Sequence, residues 1–267
     1  MIFKRLSLAF LALVLVLVLT GCLTGADQKA LTQAQEMVAA GQPDRARRAF
    51  EEFIRRYPDS DLLPKALFGL ASVDHLHLHR YEQALGAYRH LATLFPRDPV
   101  APLALERMSD LYLNTLKDYP QAISILKELK ANYAAQTKRG HVYQERIAWS
   151  YFLSEDYDRA RAAYQLLIKE YPLSPLTEQA YVRTADTFYV QDRIAEALAA
   201  YQEALNRFPQ GQLRDRVRFR MANCLEETGQ LKEARKLYQE LLTTYDNPEA
   251  VKIRLAGVED RLKKGVK

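Results

Sequence analysis

One period runs through almost the whole chain. An aromatic residue recurs at Tyr57, Phe95, Tyr133, Tyr171, Phe208 and Tyr245, with spacings of 38, 38, 38, 37 and 37 residues. Pro follows it at Pro58, Pro96, Pro172 and Pro209. Eleven residues before each aromatic stands an Ala: Ala46, Ala84, Ala122, Ala160, Ala197 and Ala234. Four residues after each Ala comes Phe50, Tyr88, Leu126, Tyr164, Tyr201 or Tyr238. A third series of small residues lies upstream, at Ala34, Ala71, Ser109, Ala148, Ala185 and Ala222. Three registers shared by six copies define a repeat. Each copy is too short to bury its own apolar face, so the copies must stack on one another.

Each copy reads as two helices. Small and apolar residues recur at the helical period, as at Ala160, Tyr164, Leu167 and Ile168 in the fourth copy. The prolines agree with the periodicity. Pro64 and Pro102 open first helices, Pro43 and Pro120 open second helices, and Pro248 opens a final one. A missing N–H costs nothing at those places. The prolines that follow the aromatics close second helices, where the ring blocks continuation. The small residues allow two antiparallel helices to approach closely. Nothing reads as strand alternation, so the expected fold class is an all-α solenoid of six repeats, 28–247, with a capping helix and tail over 248–267.

The beginning of the chain has a different character. Lys4 and Arg5 precede an apolar run from Leu6 to Leu19, broken only by Ser7. At about 1.5 Å per residue that run spans about 21 Å of helix, short of the roughly 30 Å hydrocarbon core. It reads as the apolar region of a signal peptide, 1–21. The run ends in Leu19-Thr20-Gly21-Cys22, which resembles the lipobox of bacterial lipoproteins. The resemblance implies cleavage before Cys22, lipidation of that residue, and a short linker over 22–27. Leu23, in place of Asp, favours the outer membrane with the chain facing the periplasm; the inner membrane is the alternative. The other reading of the segment is an ordinary secretory signal that contains a Cys.

The three registers resemble the tetratricopeptide repeat, whose motif has a small residue at position 8, Ala at 20, an aromatic at 24 and Pro at 32. With Ala46 as position 20, Ala34, Phe50 and Pro58 fall on the other three. The period here is 37–38 and not 34. Copies two and three also carry one extra residue in the inner turn, between Ala71 and Ala84 and between Ser109 and Ala122. The longer period is similar to periplasmic repeat lipoproteins of the BamD kind and to the YbgF/CpoB kind. What the resemblance implies is a non-catalytic envelope scaffold that binds other proteins or peptide segments, with a role in outer-membrane protein assembly. A cell-wall or division cofactor is the alternative.

Composition narrows the chemistry. Two Cys exclude a disulfide framework. The 38 Lys and Arg against 33 Asp and Glu include Lys4 and Arg5 of the leader, so a nucleic-acid partner is not expected. The sequence holds no Gly-rich phosphate loop, HExxH, GxSxG or CxxC. It is read as no enzyme, with no cofactor. His75, His77 and His79 are a local oddity, read as turn histidines with a metal site as the alternative. Arg214, Arg216, Arg218 and Arg220 alternate, and Arg45, Arg47, Arg48, Arg55 and Arg56 cluster on the first copy. Both groups read as solvated faces, with acidic lipid headgroups as the alternative ligand. Cys224 reads as a small buried hydrophobe.

By resemblance to the family, positions 2, 5, 9 and 12 of each first helix line a binding groove. In this chain they are Phe68, Ser72 and His75; Leu103, Glu106, Asp110 and Leu113; Val142, Glu145, Trp149 and Phe152; Val182, Asp186 and Tyr189; and Phe219, Asn223 and Glu226. Trp149 is the only Trp, at a place where the other copies carry Gln35, Ser72, Asp110, Asp186 and Asn223. A position that is polar in the other five copies is expected in a groove and not in a core. Aromatics beside carboxylates suit a peptide with apolar and basic side chains.

Overall fold

The computed structural model describes residues 25–265. The lipobox, Cys22 and the apolar run lie outside the described residues. Among the described residues there is no strand, and no helix is long and apolar enough to cross a membrane. Thirteen α-helices follow one another: α1 (25–39), α2 (Pro43–Arg56), α3 (Leu63–Leu76), α4 (Tyr81–Leu94), α5 (Val100–Asp110), α6 (Tyr119–Thr137), α7 (Gly140–Leu153), α8 (Tyr157–Glu170), α9 (Thr177–Tyr189), α10 (Ile194–Arg207), α11 (Arg214–Glu227), α12 (Leu231–Leu241) and α13 (Pro248–Lys264). Odd-numbered helices up to α11 are the first helices of the six copies, and even-numbered ones are the second. The chain divides into two units, one ending at Leu116 and one running from Lys117. In each, consecutive helices pack as helix–turn–helix hairpins.

Local chemistry sets the boundaries. Pro stands in the first turn of α2, α3, α6 and α13. Asp118, Asp156 and Asn247 cap α6, α8 and α13, each side chain accepting a backbone N–H at 3.1 Å. In copies one, four, five and six the inner turn closes in the same way. One residue takes a left-handed conformation (Gly41, Glu155, Asp192, Gly229), and the next N–H reaches back five residues to a carbonyl. The extra residue of copy two widens that closure, so Arg80 N–H bonds to Asp74 O, six residues back. In copy three the extra residue is taken up by a π-helical segment, Leu111–Leu116. Tyr133 is followed by Ala134 instead of Pro, and α6 accordingly continues to Thr137.

The periodic residues form the core. Ala46, Ala84, Ala122, Ala160, Ala197 and Ala234 are wholly buried, as are Tyr88, Leu126, Tyr164, Tyr201 and Tyr238. Phe50 approaches Gly69 so closely that a Cβ there would stand 2.5 Å from its ring. The chain is already helical at residue 25, inside the stretch read as linker. Asp27 explains this, since it accepts Gln28 N–H at 2.7 Å and the Ser60 hydroxyl at 2.5 Å, tying the helix start to the turn before α3.

The candidate partner-binding face of the second unit

The first-helix face of the second unit is built on α7, α9 and α11. Each carries a residue at the position that the sequence reading marked as polar: Trp149, Asp186 and Asn223. The structure shows what that polarity does. Tyr201 donates its hydroxyl to Asp186 Oδ1 at 2.6 Å. Tyr238 donates to Asn223 Oδ1 at 2.6 Å and lies 2.9 Å from Glu226 Oε2. In the first unit, Ser72 Oγ and Tyr88 Oη are 3.2 Å apart. In copies two, five and six the polar residue thus serves the buried tyrosine sixteen or fifteen residues further on, supplying the partner that a desolvated hydroxyl requires. Polarity at this position is therefore a requirement of the core as much as a mark of a groove.

Copy four breaks the rule. Trp149 has no acceptor to offer, and the Tyr164 hydroxyl is buried without a hydrogen-bond partner. Burial raises its pKa, and the nearby Glu145 raises it further. Replacing Tyr164 with Phe is expected to leave stability unchanged or slightly higher. Tyr201→Phe, which leaves a buried carboxylate short of a donor, is expected to lose about 1–3 kcal/mol. Urea melts of the two variants decide the matter: equal losses would refute the assignment of the orphaned hydroxyl.

Trp149 is not a free anchor. One neighbour of the indole is Phe152, stacked at 5.1 Å and 11°, and another is the Arg183 guanidinium, 4.3 Å from the ring centre. Phe152 in turn meets Tyr157 edge-on at 5.4 Å. Arg183 also lies 3.6 Å from Asp186, and Arg220 pairs with the same carboxylate. Burial raises the Asp186 pKa, opposed mainly by Arg220 and then by the Tyr201 hydrogen bond. Burial likewise raises that of the half-buried Glu145, opposed by Arg183 and Arg146. A line of contacts, Trp149–Arg183–Asp186–Arg220, therefore crosses three successive first helices.

Beside Arg220 opens a half-open pocket of about 340 Å³, lined by Tyr189, Tyr201, Arg216, Phe219, Arg220, Asn223 and Tyr245. Phe219 and Tyr245 stack at 4.7 Å to form one wall. Tyr189 donates to Glu227 at 2.5 Å, and burial together with that carboxylate pushes its pKa up to about 12. Arg216 is exposed and makes no ion pair among the described residues. Tyr189, Phe219 and Asn223 were expected in the groove, whereas Arg216 and Arg220 were read as a solvated face and Tyr201 and Tyr245 as residues of the repeat register. The missed signal was the spacing of Arg216, Arg220 and Asn223, which at i, i+4 and i+7 share one face of α11. Arg218 instead pairs with Glu240 and Asp215.

Three of the expected groove residues are corrected. Leu113 is 5% exposed, because the π-helical segment rotates it inward. Val182 is 4% exposed and packs with Ala185, Ala197 and Val217. Asp186 is 3% exposed and bound to Tyr201 and two arginines, so it cannot serve a basic ligand. Glu226 is engaged by Tyr238, Arg254 and Arg261. In the first unit Phe68 packs on Tyr88 at 5.6 Å, Leu103 is exposed, and Glu106 and Asp110 are half-buried.

The remaining oddities resolve locally. His75 lies against Tyr81 and Tyr88, His77 ends α3, and His79 takes a left-handed conformation in the turn. Among the described residues no three His, Cys, Asp or Glu side chains converge on a metal position. Arg47 is tied to Asp74 at 2.9 Å and to Glu51 at 2.8 Å. Cys224 is fully buried, and burial pushes its thiol up to about 12.

Comparison with known proteins agrees with this architecture. Residues 31–99 and 145–212 match one family described as Tetratricopeptide repeat, and residues 103–135 and 191–255 match two more of the same description. No curated protein matches the chain. Among solved structures, the C-terminal part of a repeat-containing protein from Cytophaga hutchinsonii is 13% identical at a TM-score of 0.61, covering 84% of this chain and 87% of that one. Naa15, solved with Naa10 and HypK, is 17% identical at 0.61, covering 88% of this chain and 34% of its own. PilW, a type IV pilus biogenesis factor, is 11% identical at 0.50, covering 85% and 98%. At such identities the likeness concerns the fold alone. This fold is a scaffold suited to protein–protein interaction and is typically non-catalytic. By its matched repeats, this chain belongs to the tetratricopeptide repeat family.

Proposed function

We propose that the protein is a lipid-anchored periplasmic scaffold of the outer membrane that binds segments of envelope proteins through the first-helix face of its second unit. Assembly of outer-membrane proteins, as in the BamD-like kind, is the pathway we favour. The signal peptide, the lipobox ending in Cys22 and the 37–38-residue period support it. The pocket beside Arg216 and Arg220 carries the binding part of the reading. Its carboxylate neighbour Asp186 is already matched by cations, and its open charge is Arg216. The ligand is therefore a segment with an aromatic or apolar side chain next to a carboxylate, opposite in charge to the one the sequence suggested.

The test uses the full chain in detergent and two labelled peptides of equal length, one with Asp-Phe steps and one with Lys-Phe steps. Fluorescence anisotropy is expected to give at least about ten-fold tighter binding of the acidic peptide. Arg216→Glu, at an exposed position, is expected to abolish the preference with the melting temperature unchanged. Tighter binding of the basic peptide, or indifference to Arg216→Glu, sinks the reading. Crosslinking from intact envelopes at Phe219 then identifies the partner and tests the pathway.

A further inference from the structure

The opposite face of the second unit, made by second helices, carries a different surface. Ala162 and Ala163 stand two and three residues after the buried Ala160. The two alanines leave a valley between α6 and α8 with α7 as its floor. It is a groove of about 530 Å³ in which Ala131, Ile147, Ala162, Ala163 and Leu166 form the apolar surface. Leu166 is 39% exposed at its edge. The first unit has a groove of about 570 Å³ at the same repeat positions, with Leu67, Leu70, Gly86 and Ala87. The two grooves thus occupy equivalent places in copies two and four.

The rims of the two grooves differ. In the first unit Glu51, Arg55 and His90 give mixed charge. In the second unit the charged lining residues are Lys127, Lys130 and Arg159, and no carboxylate lines the groove. Lys130 Nζ bonds to Gln144 Oε1 and to Glu170 Oε2, both at 2.6 Å. Arg159 pairs with Asp156 at 3.1 Å across an exposed turn. Lys127 Nζ has only the Tyr151 hydroxyl at 3.1 Å and its ring at 5.6 Å, and pairs with no carboxylate among the described residues.

We propose that this groove docks an amphipathic helix of a partner protein, with an apolar ridge flanked by Asp or Glu. A valley between two helices is filled by the side-chain ridge of a third, which is how helices pack on one another. The ridge takes the place of the side chains that Ala162 and Ala163 lack. The flanking carboxylates meet Lys127 and Arg159 on either wall. The recess disfavours a flat lipid surface, which would reach the cationic rim and leave the α7 floor uncovered. The site is separate from the pocket beside Arg216, and each stands without the other.

The probe is a synthetic helical peptide of about four turns with Leu at i, i+3, i+4 and i+7 and Glu on both flanks, against the same peptide with Lys flanks. Anisotropy with the full chain in detergent is expected to give at least about ten-fold tighter binding of the Glu peptide. Ala162→Trp, which fills the groove from an exposed position, is expected to remove about ten-fold or more of that affinity. Lys127→Glu is expected to narrow the gap between the two peptides, and Arg216→Glu to change nothing. Should Ala162→Trp melt early, Lys127→Glu and Arg159→Glu, both on exposed side chains, carry the test. Equal binding of the two peptides, or binding indifferent to all three groove variants, overturns the proposal. So does binding of Cys22→Ser chain to phosphatidylglycerol vesicles that is lost with Ala162→Trp, which would assign the groove to lipid.

Discussion

Replacing Asp186 with Ala is expected to destabilise the second unit by about 3–5 kcal/mol, the cost of removing one partner from a buried charged pair. Three groups lose their acceptor at once. Tyr201 Oη loses its carboxylate acceptor, Arg220 loses its carboxylate, and Arg183 loses its ion-pair partner while keeping its contact with Trp149. A loss of that size lowers the melting temperature by roughly 10 °C or more for a unit of this length. Asp186→Asn keeps an acceptor for Tyr201 and removes a carboxylate that burial already pushes toward its neutral form. It is expected to cost clearly less. Thermal melts followed by circular dichroism compare the two, and an Ala variant that melts with the wild type would show that the carboxylate is not part of the core.

Replacing Cys22 with Ser is expected to move the protein from the membrane fraction to the soluble fraction. On the proposed lipoprotein reading the effect is nearly all-or-none, because every acyl chain would be removed together. Each buried methylene contributes about 0.8 kcal/mol, and one chain gives only marginal, reversible binding while several give durable anchoring. Among the described residues no helix is long and apolar enough to cross a membrane. Fractionation of cells expressing both forms is the measurement; unchanged retention of the Ser variant would remove the lipoprotein reading.

The all-helical repeat was legible in the sequence because its determinants are short-range. Proline at helix starts, proline after the aromatics and alanine at each crossing act within one copy, and the structure follows them closely. Even the extra residue of copies two and three left a local trace, a wider turn before Arg80 and the π-helical segment at Leu111–Leu116. The face residues were less legible because their roles depend on partners about 15 or more positions away. A polar residue at 186 or 223 looks like a groove residue until Tyr201 and Tyr238 are seen to need it. Arg216 and Arg218, two residues apart, look equivalent until Glu240 is seen to engage only the second. Leu113 was misplaced for another reason: the sequence showed an added residue but not where the helix would absorb it.

The chain of contacts from Trp149 through Arg183 and Asp186 to Arg220 has a consequence for how the array can be shortened. Ideal repeat proteins can be trimmed one hairpin at a time, because each module touches only its neighbours through apolar surface. Here Arg220, the closer of the two cations that face Asp186, belongs to the following hairpin. Cutting the array before α11 would leave that carboxylate with Arg183 alone, so truncations in this half should be tolerated best where no such pair is split.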